Sequence, residues 1–326
     1  MTGLYDSWQR QINYLRISIT DFCNLNCVYC TEGNVPKLPR EEILSYEEIG
    51  RLVSVAASMG INKVRLTGGE PLMRPDLNSL VKMISGTPGI DDVALTTNGT
   101  LLSKYAVDLK KAGLTRVNVS LDTLRPDRFE KITGHDNFRQ VLDGIELSER
   151  VGLTPVKVNM VVMRGENDDE VIDFARMTVD RGWNVRYIEY MPFSASVAES
   201  ARLVSSREIK KRLDALGHME RCGTEKGNGP ARYFRFPGAK GTIGFISPIT
   251  EHFCATCNRL RMTSDGHLRP CLLDDDEIDI KKALRNGGSD DDLKAIIERA
   301  VVLKRERHHL NEGEKAPERP MRQIGG

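Results

Sequence analysis

The sequence predicts an α/β fold: an incomplete (βα)6 TIM-like barrel followed by a C-terminal extension. Three observations carry this. Six short runs rich in β-branched residues recur between residue 15 and about residue 190. Amphipathic helical segments lie between them, and such alternation builds a parallel sheet with right-handed crossovers. After about residue 217 the alternation stops.

The first strand is expected at Leu15–Ile19. A helix over Tyr46–Ser58 follows, with Ile49, Leu52, Val53 and Ala56 at the spacing of one helix face. Ser45 and Glu48 form a capping-box pattern at its start, and Gly60 stands where a C-terminal cap belongs. Strand Lys63–Leu66 leads to helix Asp76–Ile84, and strand Asp92–Thr96 to helix Lys104–Ala112, closed by Gly113. Strand Arg116–Ser120 leads to helix Phe138–Arg150, strand Val156–Val162 to helix Asp169–Asp180, and strand Val185–Glu189 comes last. A curved sheet of this kind gathers its chemistry at the carboxyl ends of the strands. Residues 1–216 are therefore read as the barrel and 217–326 as an extension that depends on it. The extension holds a Gly-rich loop, Gly223–Pro230, and two short strands within Tyr233–Ile246 joined at Pro237-Gly238. A second cysteine group, a helix over Asp290–Lys304 and a polar tail ending in Gly325-Gly326 complete it.

The 326 residues carry a net charge of +1, which argues against a general polyanion or nucleic-acid binder; an anionic ligand must be met by a local basic cluster. The apolar stretch Val156–Met163 is interrupted by Lys157 and Asn159 and falls far short of the roughly 20 residues that span a bilayer. Met1–Arg10 lacks the apolar run of a signal peptide, so a cytoplasmic protein with no membrane partner is expected. The seven cysteines are an odd number, grouped three near the start and three near the end with Cys222 apart. In a reducing compartment that grouping suits metal ligands better than disulfides.

Cys23-x3-Cys27-x2-Cys30 falls in the loop after the first strand, where three sulfurs can converge. Three thiolates can hold three irons of a 4Fe–4S cluster and leave the fourth open for chemistry. A zinc knuckle completed by a distant ligand is the alternative. Tyr29, between the last two cysteines, offers a ring to stack on a base. Thr67-Gly68-Gly69-Glu70-Pro71 ends the second strand on the same face of the sheet; its glycines permit close backbone approach, and Glu70 can meet an ammonium group.

The second group is Cys254-x2-Cys257-x13-Cys271, again three thiols, with His252 or His267 available to close a zinc site. Cys257 opens Cys257-Asn258-Arg259-Leu260-Arg261. In an extended segment Arg259 and Arg261 point the same way, and arginine suits bidentate contacts to phosphate and to guanine. A second open cluster beside paired arginines reads as a substrate site.

The first cysteine group with Gly68-Gly69-Glu70-Pro71 resembles the radical S-adenosylmethionine superfamily. Both groups together resemble the GTP 3′,8-cyclase family within it, which opens molybdenum cofactor biosynthesis. Further matching stretches are Leu15-Arg16-Ile17-Ser18-Ile19-Thr20-Asp21, Thr96-Thr97-Asn98-Gly99, Val117-Asn118-Val119-Ser120-Leu121-Asp122 and Glu189-Tyr190-Met191-Pro192-Phe193. Thr31-Glu32 departs from the Met-Pro that the family often carries there.

The resemblance implies two 4Fe–4S clusters, on Cys23, Cys27 and Cys30 and on Cys254, Cys257 and Cys271. It implies S-adenosylmethionine held by Tyr29, Gly69, Ser120 and Met191, and GTP held by Arg16, Arg65, Thr96, Lys157, Arg259, Leu260 and Arg261. Cys23, Cys27, Cys30, Arg259 and Arg261 then carry the catalysis, with the Gly325-Gly326 tail entering the site. The implied reaction starts with an adenosyl radical that takes hydrogen from the ribose 3′ carbon, after which that carbon attacks C8 of guanine. An external electron donor and the next enzyme of the pathway are the implied partners; a homodimer is the alternative to a monomer. No Gly-x4-Gly-Lys-Ser/Thr occurs, so GTP is expected as a substrate to be rearranged and not as a phosphate donor.

Two rivals stand beside this reading. A peptide-modifying radical enzyme with an auxiliary cluster leaves the paired arginines unexplained. A zinc-stabilised nucleic-acid binder needs a basic, aromatic-rich surface, which the composition does not supply.

Overall fold

The computed structural model describes residues 3–30, 37–191, 201–223, 229–310 and 317–325. The Thr31-Glu32 departure, Pro192-Phe193, the middle of the Gly-rich loop (224–228) and Gly326 lie outside the described residues.

Six parallel strands follow one another in sheet order: β1 (Tyr14–Ser18), β2 (Lys63–Thr67), β3 (Asp92–Thr97), β4 (Arg116–Ser120), β5 (Lys157–Val162) and β6 (Asn184–Glu189). Between them run α1 (Tyr46–Ser58), α2 (Leu77–Ser85), α3 (Leu102–Lys111), α4 (Pro126–Thr133), α5 (Phe138–Arg150) and α6 (Val171–Asp180). The capping box at Ser45 and Glu48 is present, and Gly60 and Gly113 both adopt positive φ after their helices. Helix α4 was not expected from the sequence, nor was the later helix over Ser206–Leu213. The former begins on Pro126 and closes on Gly134 at φ 75°, a start and stop hidden by its short length.

Helix α7 (Ser206–Leu213) precedes β7 (Glu220–Cys222), β8 (Arg232–Arg235) and β9 (Ile243–Ile246). Strands β10 (Arg259–Met262), β11 (His267–Arg269) and β12 (Ile278–Asp279) come next, then α8 (Lys281–Arg285), α9 (Asp290–Val302) and α10 (Met321–Ile324). The later strands extend the sheet at both of its edges. β9 pairs parallel with β6, and β10 pairs parallel with β1. Antiparallel strands continue outward, giving the order β12-β11-β10-β1-β2-β3-β4-β5-β6-β9-β8-β7 among the described residues. The sheet is open, and side chains from both of its ends line one cavity, so it wraps into a partial barrel.

Strand alternation sorts the two faces. Ile17, Leu66, Leu95, Val117, Val158 and Val185 turn outward into one apolar core with Leu52, Leu80, Leu109, Ile145 and Phe174 of the helices. The other face carries polar and charged groups into the lumen. No helix among the described residues is long and apolar enough to cross a membrane.

Candidate active site

The loop after β1 carries Cys23, Cys27 and Cys30, and it is pinned from two sides. Gly69 N–H donates to Thr20 O at 2.8 Å and Glu70 N–H to Phe22 O at 2.7 Å. A Cβ on Gly68 would meet Thr20 O, and one on Gly69 would meet Phe22 O, each at 2.3 Å. The glycines therefore let the second strand's loop press against the base of the cysteine loop. From the other side, the last carbonyls of α4 accept from that loop: Asn26 N–H to Thr133 O at 2.8 Å and Val28 N–H to Ile132 O at 3.0 Å.

Glu70 differs from expectation. It is fully buried, and its carboxylate accepts from Leu72 N–H, Thr97 Oγ1 and Asn98 N–H at 2.9, 2.8 and 2.7 Å. It ties the second and third strand loops together and is not turned toward a ligand ammonium.

The three N-terminal cysteines are half-buried, line one cavity and feel one another's charge. Burial pushes Cys30 up to about 12, with the charge of Cys23 adding to it and Arg322 opposing it. Burial likewise raises Cys27 well above its usual value, and Asp122, Cys30 and Cys23 add to it. Three soft donors that repel one another as thiolates need a shared cation, and a 4Fe–4S cluster is such a cation; the donor set fits. Asn98 Nδ2 approaches Cys23 Sγ at 3.8 Å, and Tyr29 Oη donates to Asp122 Oδ2 at 2.6 Å.

The C-terminal thiols line the cavity from the other end: Cys254 and Cys257 precede β10, which runs parallel to β1, whereas the first group follows β1. Cys254 and Cys257 bracket a turn, with Cys257 N–H donating to Cys254 O at 3.0 Å, and Cys271 follows β11. Burial disfavours the Cys257 thiolate, but Arg259 and Lys304 outweigh it and bring this thiol down to about 6. Arg259 Nη2 lies 3.4 Å from Cys257 Sγ. Here the donor set is already biased toward the ligating, deprotonated form, so a cluster fits this wall too. His252, Cys254 and His308 bring their ligand atoms within 4.8 Å of one another. His267 instead lies 3.3 Å from Asp265.

Both cysteine groups line the same cavity, together with Tyr29, Gly69, Ser120, Met191, Arg16, Arg65, Thr96, Lys157, Arg259 and Arg261. Leu260 does not join them. Alternation along β10 turns its side chain, 2% exposed, into the apolar core behind the two arginines. A Leu260 contact with GTP, as the resemblance implies, would be made by its backbone. Lys63, at the start of β2, also stands outside the lining.

Between the two walls the lumen floor is cationic. Burial drives the Arg16 guanidinium well below its ordinary value, with Arg261 and Arg65 adding to it. Burial, then Arg186, depresses Lys157 to about 6. Arg186 and Tyr233 were absent from the sequence reading. Arg186 sits on β6 in register with Asn159, and its Nε is buried without a hydrogen-bond partner, as is Nε of Arg65. Tyr233 of β8 lies beneath both cations, 5.7 Å from Lys157 Nζ and 5.9 Å from the Arg186 guanidinium carbon. Alternation along β6 was the available signal for Arg186; Tyr233 comes from a strand of the extension, between β9 and β7, whose pairing no local pattern announces. Concentrated, desolvated positive charge of this kind is stable only with a polyanion to receive it.

Arg261 Nη1 donates to Gly325 O at 2.6 Å, so the chain's last described residue reaches the arginine pair. A Cβ on Gly325 would meet Thr67 Cγ2 at 2.5 Å, and its φ is 70°. Only glycine passes there.

The family model described as the radical SAM superfamily matches residues 17–178, and that described as Molybdenum Cofactor Synthesis C matches residues 183–310. A GTP 3′,8-cyclase of Moorella thermoacetica is 49% identical over 99% of this chain and 100% of its own. One from Pelotomaculum thermopropionicum is 51% identical over 99% and 100%. Among solved structures, Streptococcus suis SuiB bound to precursor peptide SuiA shares the fold with TM-score 0.62 at 17% identity, over 94% of this chain and 74% of that one. Native anSMEcpe with bound AdoMet does so with TM-score 0.55 at 17% identity, over 82% and 77%. Sequence, site and full-length likeness agree: the chain belongs to the GTP 3′,8-cyclase family of radical S-adenosylmethionine enzymes.

Proposed function

We propose that this enzyme converts GTP to (8S)-3′,8-cyclo-7,8-dihydroguanosine 5′-triphosphate, the first step of molybdenum cofactor biosynthesis. The observation that carries the reading is one cavity with a cysteine triplet on each of two walls and a cationic floor between them. Its cofactors are two 4Fe–4S clusters and S-adenosylmethionine. When bound, the N-terminal cluster and S-adenosylmethionine supply the adenosyl radical that abstracts the ribose 3′ hydrogen.

In this reading Cys23, Cys27 and Cys30 hold the first cluster and Cys254, Cys257 and Cys271 the second. Tyr29, Gly69, Ser120 and Met191 bound the S-adenosylmethionine site beside the first. Arg16, Arg65, Lys157 and Arg186 take the triphosphate. Arg259 and Arg261 orient the purine end near the second wall, and Thr96 adds a hydroxyl between. Holding GTP at three points fixes the ribose between the walls, and orientation of this kind supplies much of a radical enzyme's selectivity. Residues 1–216 form the barrel, which holds the first cluster, S-adenosylmethionine and the triphosphate, and residues 217–326 form the extension, which holds the second cluster and adds Arg259 and Arg261. The product passes to the next enzyme of the pathway, an external one-electron donor reduces the clusters, and the protein works in the cytoplasm.

The test is anaerobic turnover with GTP, S-adenosylmethionine and a chemical reductant. The expected products are 5′-deoxyadenosine and the cyclised nucleotide in step. Formation of 5′-deoxyadenosine with a peptide substrate and not with GTP would overturn the assignment.

A further inference from the structure

Lys304 lies two residues past the end of α9 and is 4% exposed. Its ammonium donates to Arg259 O at 3.1 Å and to Pro270 O at 2.6 Å. Those carbonyls belong to the two segments that carry cysteines of the second wall: Arg259 stands two residues after Cys257, and Pro270 immediately precedes Cys271. One buried cation thus bridges both cysteine segments, and it lines the same cavity as the three thiols.

The surroundings hold it in place. Trp8 Nε1 donates to Lys304 O at 3.1 Å. Arg10, itself 8% exposed, donates from Nη1 to Cys254 O at 2.8 Å and to Glu306 O at 2.8 Å, so the N-terminal segment ties Cys254 to the chain just past Lys304. Among the described residues no carboxylate pairs with Lys304, so its charge is not cancelled by a neighbouring side chain.

We propose that Lys304 is a positioning residue of the C-terminal cluster, fixing the spacing of its cysteine segments and raising its reduction potential by a buried positive charge. Net charge and hydrogen bonding around the sulfurs are what set such potentials. The inference rests on the reading that Cys254, Cys257 and Cys271 hold that cluster.

The test uses the full chain carrying Cys23→Ala, Cys27→Ala and Cys30→Ala, which leaves the second site alone to be reconstituted anaerobically. About four irons per chain in this parent is the check on the cluster assignment itself. Lys304→Met, which keeps the apolar stem, and Lys304→Arg, which keeps the charge, are then compared with it. Lys304→Met is expected to lower the midpoint potential of the remaining cluster or cut its iron content at least twofold, with the far-UV circular dichroism of the parent; Lys304→Arg is expected to recover most of the potential. A parent that holds no iron would sink the cluster assignment. A parent that holds iron, with Lys304→Met matching its iron content and potential, overturns the role of Lys304 alone. So does a Lys304→Met chain in which only the folding signal changes.

Discussion

Arg16 on β1 and Arg261 on β10 stand side by side, paired Cα to Cα across neighbouring parallel strands, with Arg65 at the same level on the far side of Arg16. Burial disfavours the charge on Arg16 and Arg261 alike; Arg261 then adds to the effect on Arg16, and Arg259 to that on Arg261. A row of like charges in a low-dielectric lumen destabilises the nucleotide-free fold and stabilises the complex with a triphosphate. Arg16→Met is therefore expected to stabilise the chain without GTP by about 1–2 kcal/mol, since it removes one of several buried like charges that repel one another. The same substitution should shrink the thermal shift that saturating GTP produces. Melting curves with and without GTP check both signs together. A lower melting temperature in the nucleotide-free variant would remove the argument.

Lys157 provides the pH dependence. Burial and Arg186 bring it to about 6, far below an ordinary lysine, so the free enzyme holds it largely neutral above that pH. The unfolded chain keeps this proton up to about pH 10, so this group's contribution to stability rises with pH between about 6 and 10. A bound triphosphate reverses the environment and favours the ammonium form. GTP binding at pH 8 should then take up protons, and affinity should strengthen as pH falls from about 8 toward 6 by up to about tenfold per unit. Calorimetry in buffers of different ionisation enthalpy measures the uptake. Lys157→Met should abolish it; an unchanged uptake in that variant would assign the proton elsewhere.

Leu260 separates packing from contact. Its side chain belongs to the core between β10 and the helices. Leu260→Ala is expected to cost about 2–4 kcal/mol of stability, the range for a buried leucine. GTP affinity, measured below the melting transition, should fall less in this variant than in Arg259→Ala or Arg261→Ala. If Leu260→Ala weakened GTP as much as either arginine variant without lowering stability, the side chain would belong to the site after all.

Much of this was legible before the structure. The six barrel strands and five of the helices follow from apolar spacing, because each element buries one face and the period survives in the sequence. The cysteine and arginine positions were legible because soft ligands and paired guanidinium groups in one loop have few other uses. What the sequence withheld depends on long-range pairing. β9 and β10 join opposite edges of the barrel sheet from positions close together in the chain, and nothing local says which edge each one takes. Lys304 is an unremarkable lysine after a helix until β10 and β11 bring two carbonyls to it. Glu70 was read as ligand-facing because its motif adjoins the site, yet the buried N–H groups of Leu72 and Asn98 required a carboxylate first.

Tyr29 and Asp122 give the last prediction. The Tyr29 hydroxyl donates to one oxygen of Asp122, and Val161 N–H donates to the other at 2.8 Å. Burial still raises this carboxyl to about 6, with both hydrogen bonds opposing it. Because the folded value lies above the ordinary one, Asp122 contributes stability that is complete below about pH 4 and is lost as pH rises through about 6. Tyr29→Phe keeps the ring on the cavity wall but removes the bond that favours the carboxylate. Asp122 must then move further up, and the variant should lose more stability at high pH than at low. The expected deficit at pH 7.5 is about 1–2 kcal/mol, the cost of stranding a buried acceptor, and at pH 5 it should be clearly smaller. Melting temperatures of both chains at the two pH values decide it. An equal deficit at both would mean that Tyr29 acts here through packing alone, and that the loop carrying Cys27 and Cys30 does not depend on the charge of Asp122.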